Sequence, residues 1–263
     1  MANYTAVDVK KLREETDAPM MECKSALDEA DGNFDRAKEI LREKGKAAAA
    51  KRAGRATGAG VVAFASEGGY TAGIVLECET DFVSRNPEFV ALAAEAAAIA
   101  LTEHVDQKLI DLAETATAKF RENSKITQKV IFKGTAVTYV HHDATKGAIV
   151  VFEGGDPTEA VRKVAVQVVS EPPQVVSKDQ LSQEMLEKEI ATETKRALDE
   201  GKPENIAKNI AVGRVNKEFI KKWVLLEQPY FADASKTVSQ HLAEEAKGVK
   251  ITEFAYLAVG LGE

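Results

Sequence analysis

The sequence predicts an α+β fold, with a small N-terminal three-helix domain, then two related α+β subdomains with antiparallel sheets and a projecting helical hairpin. Three observations predict it. Helical periodicity fills residues 4–45, the pattern changes to strands from Val61, and a strand-then-helix plan then occurs twice. The predicted limits are a helical domain at 1–45, a linker at 46–59, and core subdomains at 60–134 and 135–263, the latter including the hairpin at 178–222.

The first domain is predicted to hold three short helices. Thr5 followed by Asp8 resembles a capping box at the start of the first helix. The second helix carries small and apolar residues at helical spacing, namely Cys23, Ala26, Leu27 and Ala30. A break at 31–33 separates the third helix, and we expect Gly45 to end it.

The linker at 46–59 is rich in alanine, lysine and glycine, which predicts a segment that is helical at first and then flexible. Its basic residues suit either a solvated face or contact with an acidic partner. The runs 61–65 and 71–79 then predict an antiparallel hairpin around Glu67-Gly68-Gly69.

A helix follows that hairpin, because Asn86 is a natural N-cap and Pro87 suits the first helical position. A further helix is predicted after it. Their apolar faces are formed by Phe89, Leu92, Ala93, Ala96 and Ile99, and by Leu109, Leu112, Ala116 and Phe120.

The second half repeats this plan. The run 147–153 (GAIVVFE) parallels 72–77 (AGIVLE), and each runs into an acidic loop and a helix begun by proline, at Pro87 and at Pro157. This similarity predicts a duplicated α+β unit.

The remainder of the chain adds the hairpin and a closing strand. Residues 178–222 form two polar helical stretches around Gly201-Lys202-Pro203, too polar for a core pair, which indicates an antiparallel hairpin. We then expect a strand at 223–226, a helix at 237–246 and a strand at 251–259. The last strand has apolar residues on both faces, which is typical of a strand covered on both sides.

The bulk composition favours a cytoplasmic protein that does not bind nucleic acid broadly. Its net charge is −7, whereas nucleic-acid binding needs a basic face that displaces phosphate counterions. No apolar run approaches the ~20 residues of a membrane-spanning helix, and we recognise no targeting pattern. Cys23 and Cys78 lack the spacing of a metal or redox pair, which favours buried reduced thiols over a disulfide.

The sequence offers little for catalysis. It contains no phosphate-loop motif, and no serine or cysteine has a recognisable nucleophile context. His141-His142-Asp143 is the one metal-like cluster, and adjacent histidines on a strand point to opposite faces, which disfavours a shared metal. Glu77 and Glu79 alternate with apolar residues, as on a solvated strand face. We expect no catalytic residue, no metal and no cofactor, and therefore a protein that is not an enzyme.

The segment Thr80-Asp81-Phe82-Val83 is different, since it is a loop between a good strand and a good helix cap. Phe82 is a large apolar residue without a periodic partner. Two interpretations are open on the residues alone. In one, Asp81 caps a turn and Phe82 packs beneath the loop. In the other, the loop presents an aromatic wedge and a carboxylate to another protein, where aromatic side chains carry much of the interface energy.

The same segment resembles the signature of elongation factor Ts, the guanine-nucleotide exchange factor of elongation factor Tu. Further runs resemble that family in the same order: 9–16 (VKKLREET), 20–27 (MMECKSAL) and 31–33 (DGN) its ubiquitin-associated-like domain, and 201–203 (GKP), 228–230 (QPY) and 235–238 (SKTV) its second half. Asp17 and Pro19 differ from the glycines that members of that family often have before the methionine pair at 20–21. The sequence also ends near its last predicted strand, so we do not expect the further C-terminal helix of some members.

The resemblance implies a docking surface and a wedge. The N-terminal domain, through Leu12, Arg13, Met20 and Met21, would dock on elongation factor Tu in its GDP-bound and nucleotide-free states. Adaptable methionines suit such a surface, although one of the pair also suits the core. His141, in a Tyr-x-His run, would be a further contact.

Thr80-Asp81-Phe82-Val83 would then act beside the partner's magnesium site, with Phe82 as the wedge. Asp81 would either displace groups that hold Mg²⁺ or cap the turn that holds Phe82. Losing Mg²⁺ removes charge neutralisation from the GDP phosphates, so GDP leaves and GTP rebinds. The resemblance implies no direct nucleic-acid or membrane partner, and homodimer contacts through 178–222 as in some relatives. Two other hypotheses remain: an adaptor for helices or ribosomal surfaces, and a phosphate-handling enzyme that uses the histidine pair.

Overall fold

The computed structural model describes residues 3–16, 18–102, 106–156 and 159–261. The predicted α+β class is confirmed, with helices at the start and antiparallel sheets after them. In chain order the elements are α1 (Ala6–Thr16), α2 (Met20–Glu29), α3 (Phe34–Arg52), β1 (Ala59–Glu67), β2 (Tyr70–Cys78), α4 (Asp81–Ser84), α5 (Pro87–Ala100), α6 (Asp106–Phe120), β3 (Lys125–Lys133), β4 (Thr135–Val140), β5 (Lys146–Glu153), α7 (Glu159–Ser170), α8 (Gln183–Asp199), α9 (Glu204–Arg214), α10 (Ile220–Trp223), β6 (Pro229–Tyr230), β7 (Asp233–Thr237), α11 (Val238–Glu245) and β8 (Lys250–Ala258).

The helical domain follows its sequence signals at the start and departs from them at the end. The Asp8 carboxylate accepts the N–H and the hydroxyl of Thr5, each at 2.7 Å, so the capping box is confirmed. The prediction that Gly45 ends the third helix is wrong, because α3 continues to Arg52. The alanine run after Gly45 has high helix propensity, which outweighs the ~1 kcal/mol that one glycine costs. The position of Asp17 lies outside the described residues.

The first sheet has the strand order β1-β2-β3, with α5 and α6 packed on one face. Gly68 and Gly69 join β1 to β2 with φ values of +60° and +79°, as a two-residue hairpin turn of the primed type requires. The Asn86 side chain accepts the N–H of Glu88 at 2.9 Å and Pro87 begins α5, so this predicted cap is confirmed.

The second sheet repeats the topology of the first. Its order is β4-β5-β8. In both sheets a hairpin supplies an edge strand and the middle strand, helices follow, and a later strand pairs antiparallel with the free side of the middle strand. The predicted duplication is therefore confirmed at the level of topology. Pro157, the predicted start of the second repeat's helix, lies outside the described residues.

The two sheets pack face to face through a small apolar cluster that includes Val62, Val75 and Leu257. The opposite face of β8 carries Phe254 and Tyr256, which pack against the core beneath α7 and α11. The last strand is thus covered on both sides, as predicted.

The polar hairpin consists of α8 and α9, which pack against each other as predicted. A π-helical turn at Val215–Phe219 carries α9 into α10. The strand predicted at 223–226 is wrong: Val224 forms a single bridge with Val175, and Leu225–Glu227 is a 3-10 turn. A short apolar run indicates burial without specifying the type of element. Within the described ranges, no helix is long and apolar enough to cross a membrane.

Candidate functional site

Residues 81–83 belong to a one-turn helix, α4 (Asp81–Ser84), so the prediction of the segment at 80–83 as a loop is wrong. Thr80 occupies the N-cap position in an extended conformation, and Asp81 begins the helix. The Thr80 carbonyl accepts the N–H of Ser84 at 3.2 Å, and the Asp81 carbonyl accepts that of Arg85 at 3.1 Å. The backbone of α4 therefore leaves β2 in a defined direction.

Phe82 is 86% exposed on this helix. Its neighbour Val83 packs against the buried cluster of the first sheet. The two adjacent side chains therefore point in different directions, one anchoring the helix and the other projecting from it. The interpretation in which Phe82 packs beneath the segment is wrong.

Asp81 is not the capping residue, because Thr80 occupies that position. The Asp81 carboxylate lies 3.2 Å from the Arg85 guanidinium, and both side chains are largely exposed. Exposed pairs of this kind contribute ~0–1 kcal/mol and exchange readily with solvent or other charges. Asp81 thus keeps a carboxylate that a partner can engage.

The base of α4 is buried and polar. The Cys78 thiol donates to the Thr80 carbonyl at 3.2 Å, and burial raises the pKa of this thiol to about 12. Glu79 accepts the N–H of Asn123 at 2.7 Å, and this bond holds the pKa of Glu79 below its ordinary value. Glu77 is fully buried, so the expected solvated face is wrong for this residue.

Glu77 is stabilised by donors from three parts of the chain. Its carboxylate accepts the hydroxyls of Thr57 at 2.6 Å and Thr127 at 3.0 Å, and the N–H of Gly260 at 2.9 Å. These bonds offset the desolvation of a buried carboxylate. They also connect β2, which leads into α4, to the segment before β1, to β3 and to the segment after β8.

The methionine pair lies at the start of α2, where Met20 is 42% and Met21 is 72% exposed. Neither belongs to the domain's buried cluster. Arg13 is exposed on α1. Leu12 is fully buried against the other helices, so its prediction as a direct docking residue is wrong.

Val7, which is not among the predicted contact residues, is 73% exposed on α1. Val7 is an apolar residue outside the stripe of Val9 and Leu12 that faces the core. Such an off-stripe position is the signal that identifies it as an exposed apolar group.

His141 lies after the end of β4 and not on a strand, so the argument from opposite strand faces does not apply. Its ring centroid is 4.3 Å from that of His142, and its Nδ1 lies 3.1 Å from the Tyr139 hydroxyl. The Asp143 carboxylate accepts the N–H and the hydroxyl of Thr145, and the backbone bond lowers the pKa of Asp143. Among the described residues, no group of three or more His, Cys, Asp or Glu side chains is placed to hold a metal ion.

The predicted contact residues thus lie in three parts of the fold: α1 and α2, α4, and the turn after β4. The helical domain touches the first sheet subdomain where α3 meets α6, and an ion pair joins Glu22 of α2 to Arg121 beyond α6. The helical domain, which carries the methionine pair, is therefore in contact with the subdomain that carries α4.

Comparison with known proteins shows the family to which the chain is similar. The family model described as Elongation factor TS matches residues 79–261. The chain is 42% identical to elongation factor Ts of Nocardia farcinica over 280 aligned positions, which cover 99% of each protein. It is 40% identical to elongation factor Ts of Chromobacterium violaceum, covering 100% of this chain and 94% of the relative. It is 36% identical to elongation factor Ts of Vibrio atlanticus, covering 100% of this chain and 93% of the relative. The chain belongs to the elongation factor Ts family.

Proposed function

We propose that this protein binds elongation factor Tu in its GDP-bound state and promotes release of GDP, which allows GTP to bind. Membership of the elongation factor Ts family supports this exchange role. The observation that carries the proposal is the 86% exposed ring of Phe82 on a helix that is anchored to the core. A lone exposed aromatic is ordinary, but one mounted on a rigid turn suits insertion into another protein.

The proposed mechanism is displacement of Mg²⁺ in the partner. Phe82 enters between structural elements beside the magnesium site, and burial of its ring supplies ~1.5–3 kcal/mol toward the shift. Asp81, whose carboxylate is exposed, repels or repositions the groups that hold the metal. Without Mg²⁺ the GDP phosphates lose charge neutralisation, so GDP dissociates faster.

Linkage defines what such a factor achieves. A factor that weakens GDP binding must itself bind the GDP form more weakly than the empty form, by the same factor. It therefore accelerates exchange without choosing the product, and the cellular excess of GTP sets the direction. In this proposal the protein makes and breaks no covalent bond and is not an enzyme.

Docking is assigned to the helical domain. Met20 and Met21 present flexible apolar side chains that adapt to a partner surface. Arg13 adds a cation, and His141 supplies a contact from the second subdomain. Leu12 supports this surface from beneath, since it is buried. The proposal includes no direct contact with nucleic acid or a membrane.

A homodimer through the hairpin at 178–222 is a separate part of the proposal. The hairpin carries four exposed apolar side chains, which a second copy could cover: Met185, Leu198, Ile206 and Val212.

Stopped-flow release of fluorescent GDP from elongation factor Tu tests the exchange role. We expect the wild type to accelerate release strongly. Phe82→Ala should lower the acceleration about thirtyfold, the effect of removing an interface anchor of ~2 kcal/mol. Tyr70→Ala is the matched control, because Tyr70 is also an exposed aromatic, at the β1–β2 turn. Binding of the wild type without faster release would support the adaptor hypothesis instead.

A further inference from the structure

Glu122 lies in the segment after α6, next to the base of α4. Its carboxylate accepts two hydrogen bonds from Thr80, which is 42 positions away in sequence. The Thr80 N–H donates to Oε2 at 2.9 Å and the Thr80 hydroxyl donates to Oε1 at 2.6 Å. Hydrogen bonds to an ionised acceptor are shorter and stronger than neutral ones.

This use of Thr80 is unusual for its position. A threonine at an N-cap ordinarily accepts a bond from a backbone N–H in the first turn of its own helix. Among the described residues, the Thr80 hydroxyl instead donates to Glu122, and it makes no local cap. Because α4 has four residues and isolated helices need roughly 12–15 to be even marginally stable, its conformation depends on tertiary contacts.

Glu122 is itself fixed by the residues beside it. Arg121 adopts a left-handed conformation, with φ of +60°, directly after α6 ends. Asn123 is 5% exposed, donates its N–H to Glu79 at 2.7 Å, and donates its side-chain amide to the Arg55 carbonyl at 2.7 Å. The backbone next to Glu122 is therefore held by hydrogen bonds to Glu79, beside β2, and to Arg55, in the segment between α3 and β1.

The neighbouring ion pair is a weaker candidate for the same role. Arg121 pairs with Glu22 of α2, and both side chains are half exposed. Exposed pairs contribute little to stability and are screened by salt. The Glu122 carboxylate, which accepts two hydrogen bonds from Thr80, is the stronger connection to α4.

We propose that Glu122 is a positioning residue for nucleotide exchange: it holds Thr80, and through Thr80 the orientation of α4 and the ring of Phe82. This inference rests on the proposed function of Phe82. A wedge held in place before binding loses less conformational freedom when it enters the partner. Without Glu122, α4 samples other orientations in the free protein, and fewer encounters become productive.

The first test needs no partner. In Glu122→Ala, the N–H groups of Ser84 and Arg85, which close α4, should exchange with solvent about tenfold faster than in the wild type. Glu95→Ala removes an equal charge from the exposed side of α5 and is the matched control. Unchanged protection of both amides in Glu122→Ala would overturn the proposal.

The second test asks whether Glu122 acts through Phe82. Glu122→Ala should lower the acceleration of GDP release about tenfold in the wild-type background and have no further effect in the Phe82→Ala background. Glu122→Gln should retain part of the acceleration, because its amide can accept the Thr80 N–H and donate to the Thr80 hydroxyl. This partial rescue distinguishes positioning from loss of the fold.

The outcomes separate the two proposals. Additive losses for Glu122→Ala and Phe82→Ala would show that Glu122 acts elsewhere and would overturn the positioning role. If the wild type failed to accelerate GDP release, the proposed exchange function would fail and the positioning role in exchange would fail with it. The amide-exchange result would then still decide whether Glu122 anchors α4.

Discussion

The two sheet subdomains share a topology but differ in the connection that leaves the middle strand. After β2 the chain forms α4, from which Phe82 projects into solvent. After β5 it passes through Gly154 and Gly155, which lie against Gly248 and Val249 of the same chain. We call the first the open connection, because Phe82 is exposed to solvent, and the second the closed connection, because its described part packs against the protein itself. A duplicated scaffold thus supplies two equivalent positions, and we propose that one local segment, α4, makes one of them a contact site.

The largest expected contrast is between two phenylalanines, Phe82 on the open connection and Phe89 on the helix that follows it. Phe89 is fully buried and packs edge-on against Phe120, so Phe89→Ala should lower the free energy of unfolding by about 3–5 kcal/mol. Phe82→Ala should change it by less than ~0.5 kcal/mol, because the ring is exposed. Denaturant titration measures both. A large loss of stability in Phe82→Ala would contradict the assignment of this ring to a partner and not to the fold.

The base of the open connection should be chemically inert. Cys78 is fully buried and its pKa is raised from 9.0 to about 12, so its thiolate fraction near pH 8 falls about a thousandfold. We expect no labelling of native Cys78 by a thiol reagent at pH 8 and rapid labelling after unfolding. Rapid native labelling would show that α4 and its base open readily.

The same shift has a defined consequence for stability. An unfolded thiol loses its proton near pH 9.0 while the folded one keeps it to about 12. The contribution of Cys78 is therefore full below pH 9 and is lost as the pH rises from 9 toward 12. Cys78→Ala should remove this part of the alkaline decline, which paired denaturation curves across that range would measure.

The closed connection should tolerate no side chain at Gly154. A Cβ at Gly154 would lie 2.1 Å from the Gly248 carbonyl oxygen, and Gly154 has φ of +83°. Gly154→Ala should destabilise the protein by about 3 kcal/mol. Gly201→Ala isolates the backbone strain, since Gly201 has φ of +79° and no described atom within 4 Å of its added Cβ; we expect about 1 kcal/mol there. Equal losses at the two glycines would contradict the close packing of the second connection.

The smallest expected effect concerns the adaptable docking surface. Met21→Ala should weaken binding to elongation factor Tu about fivefold, or ~1 kcal/mol, because neighbouring flexible side chains partly fill the gap. Met185→Ala on the hairpin is the control, because Met185 is also an exposed methionine and lies on α8, outside the helical domain. Titration calorimetry with the nucleotide-free partner measures both. An equal loss in Met185→Ala would place the docking surface elsewhere.

Local signals predicted those parts of the fold that local physics determines. The capping box at Thr5, the primed turn at Gly68-Gly69 and the Asn86-Pro87 cap all appear as expected. β3 is absent from the prediction, because its alternating lysines and glutamine resemble a polar segment and its pairing with β2 is non-local. The misassigned strand at 223–226 has the same cause: burial is visible in the sequence, whereas the partner that decides the element is not.

Some features of the candidate site were likewise predictable from the sequence and others were not. The sequence identified Phe82 as an apolar residue without a periodic partner but left open whether its ring is buried or exposed, and the structure exposes it. It did not predict that α4 is helical, and it assigned Leu12 to docking although Leu12 lies on the buried stripe of α1. The conformation of α4 depends on tertiary contacts, such as the Glu122 carboxylate on Thr80, which join residues far apart in the chain.

The most direct test of the central claim is the rate of GDP release from elongation factor Tu at saturating concentrations of wild type and of Phe82→Ala. Saturation separates the release step from docking, since every partner molecule is then bound. We predict that Phe82→Ala, although it binds and folds, releases GDP about thirtyfold more slowly than the wild type. Equal rates of release at saturation would contradict the claim that the exposed ring of α4 drives exchange.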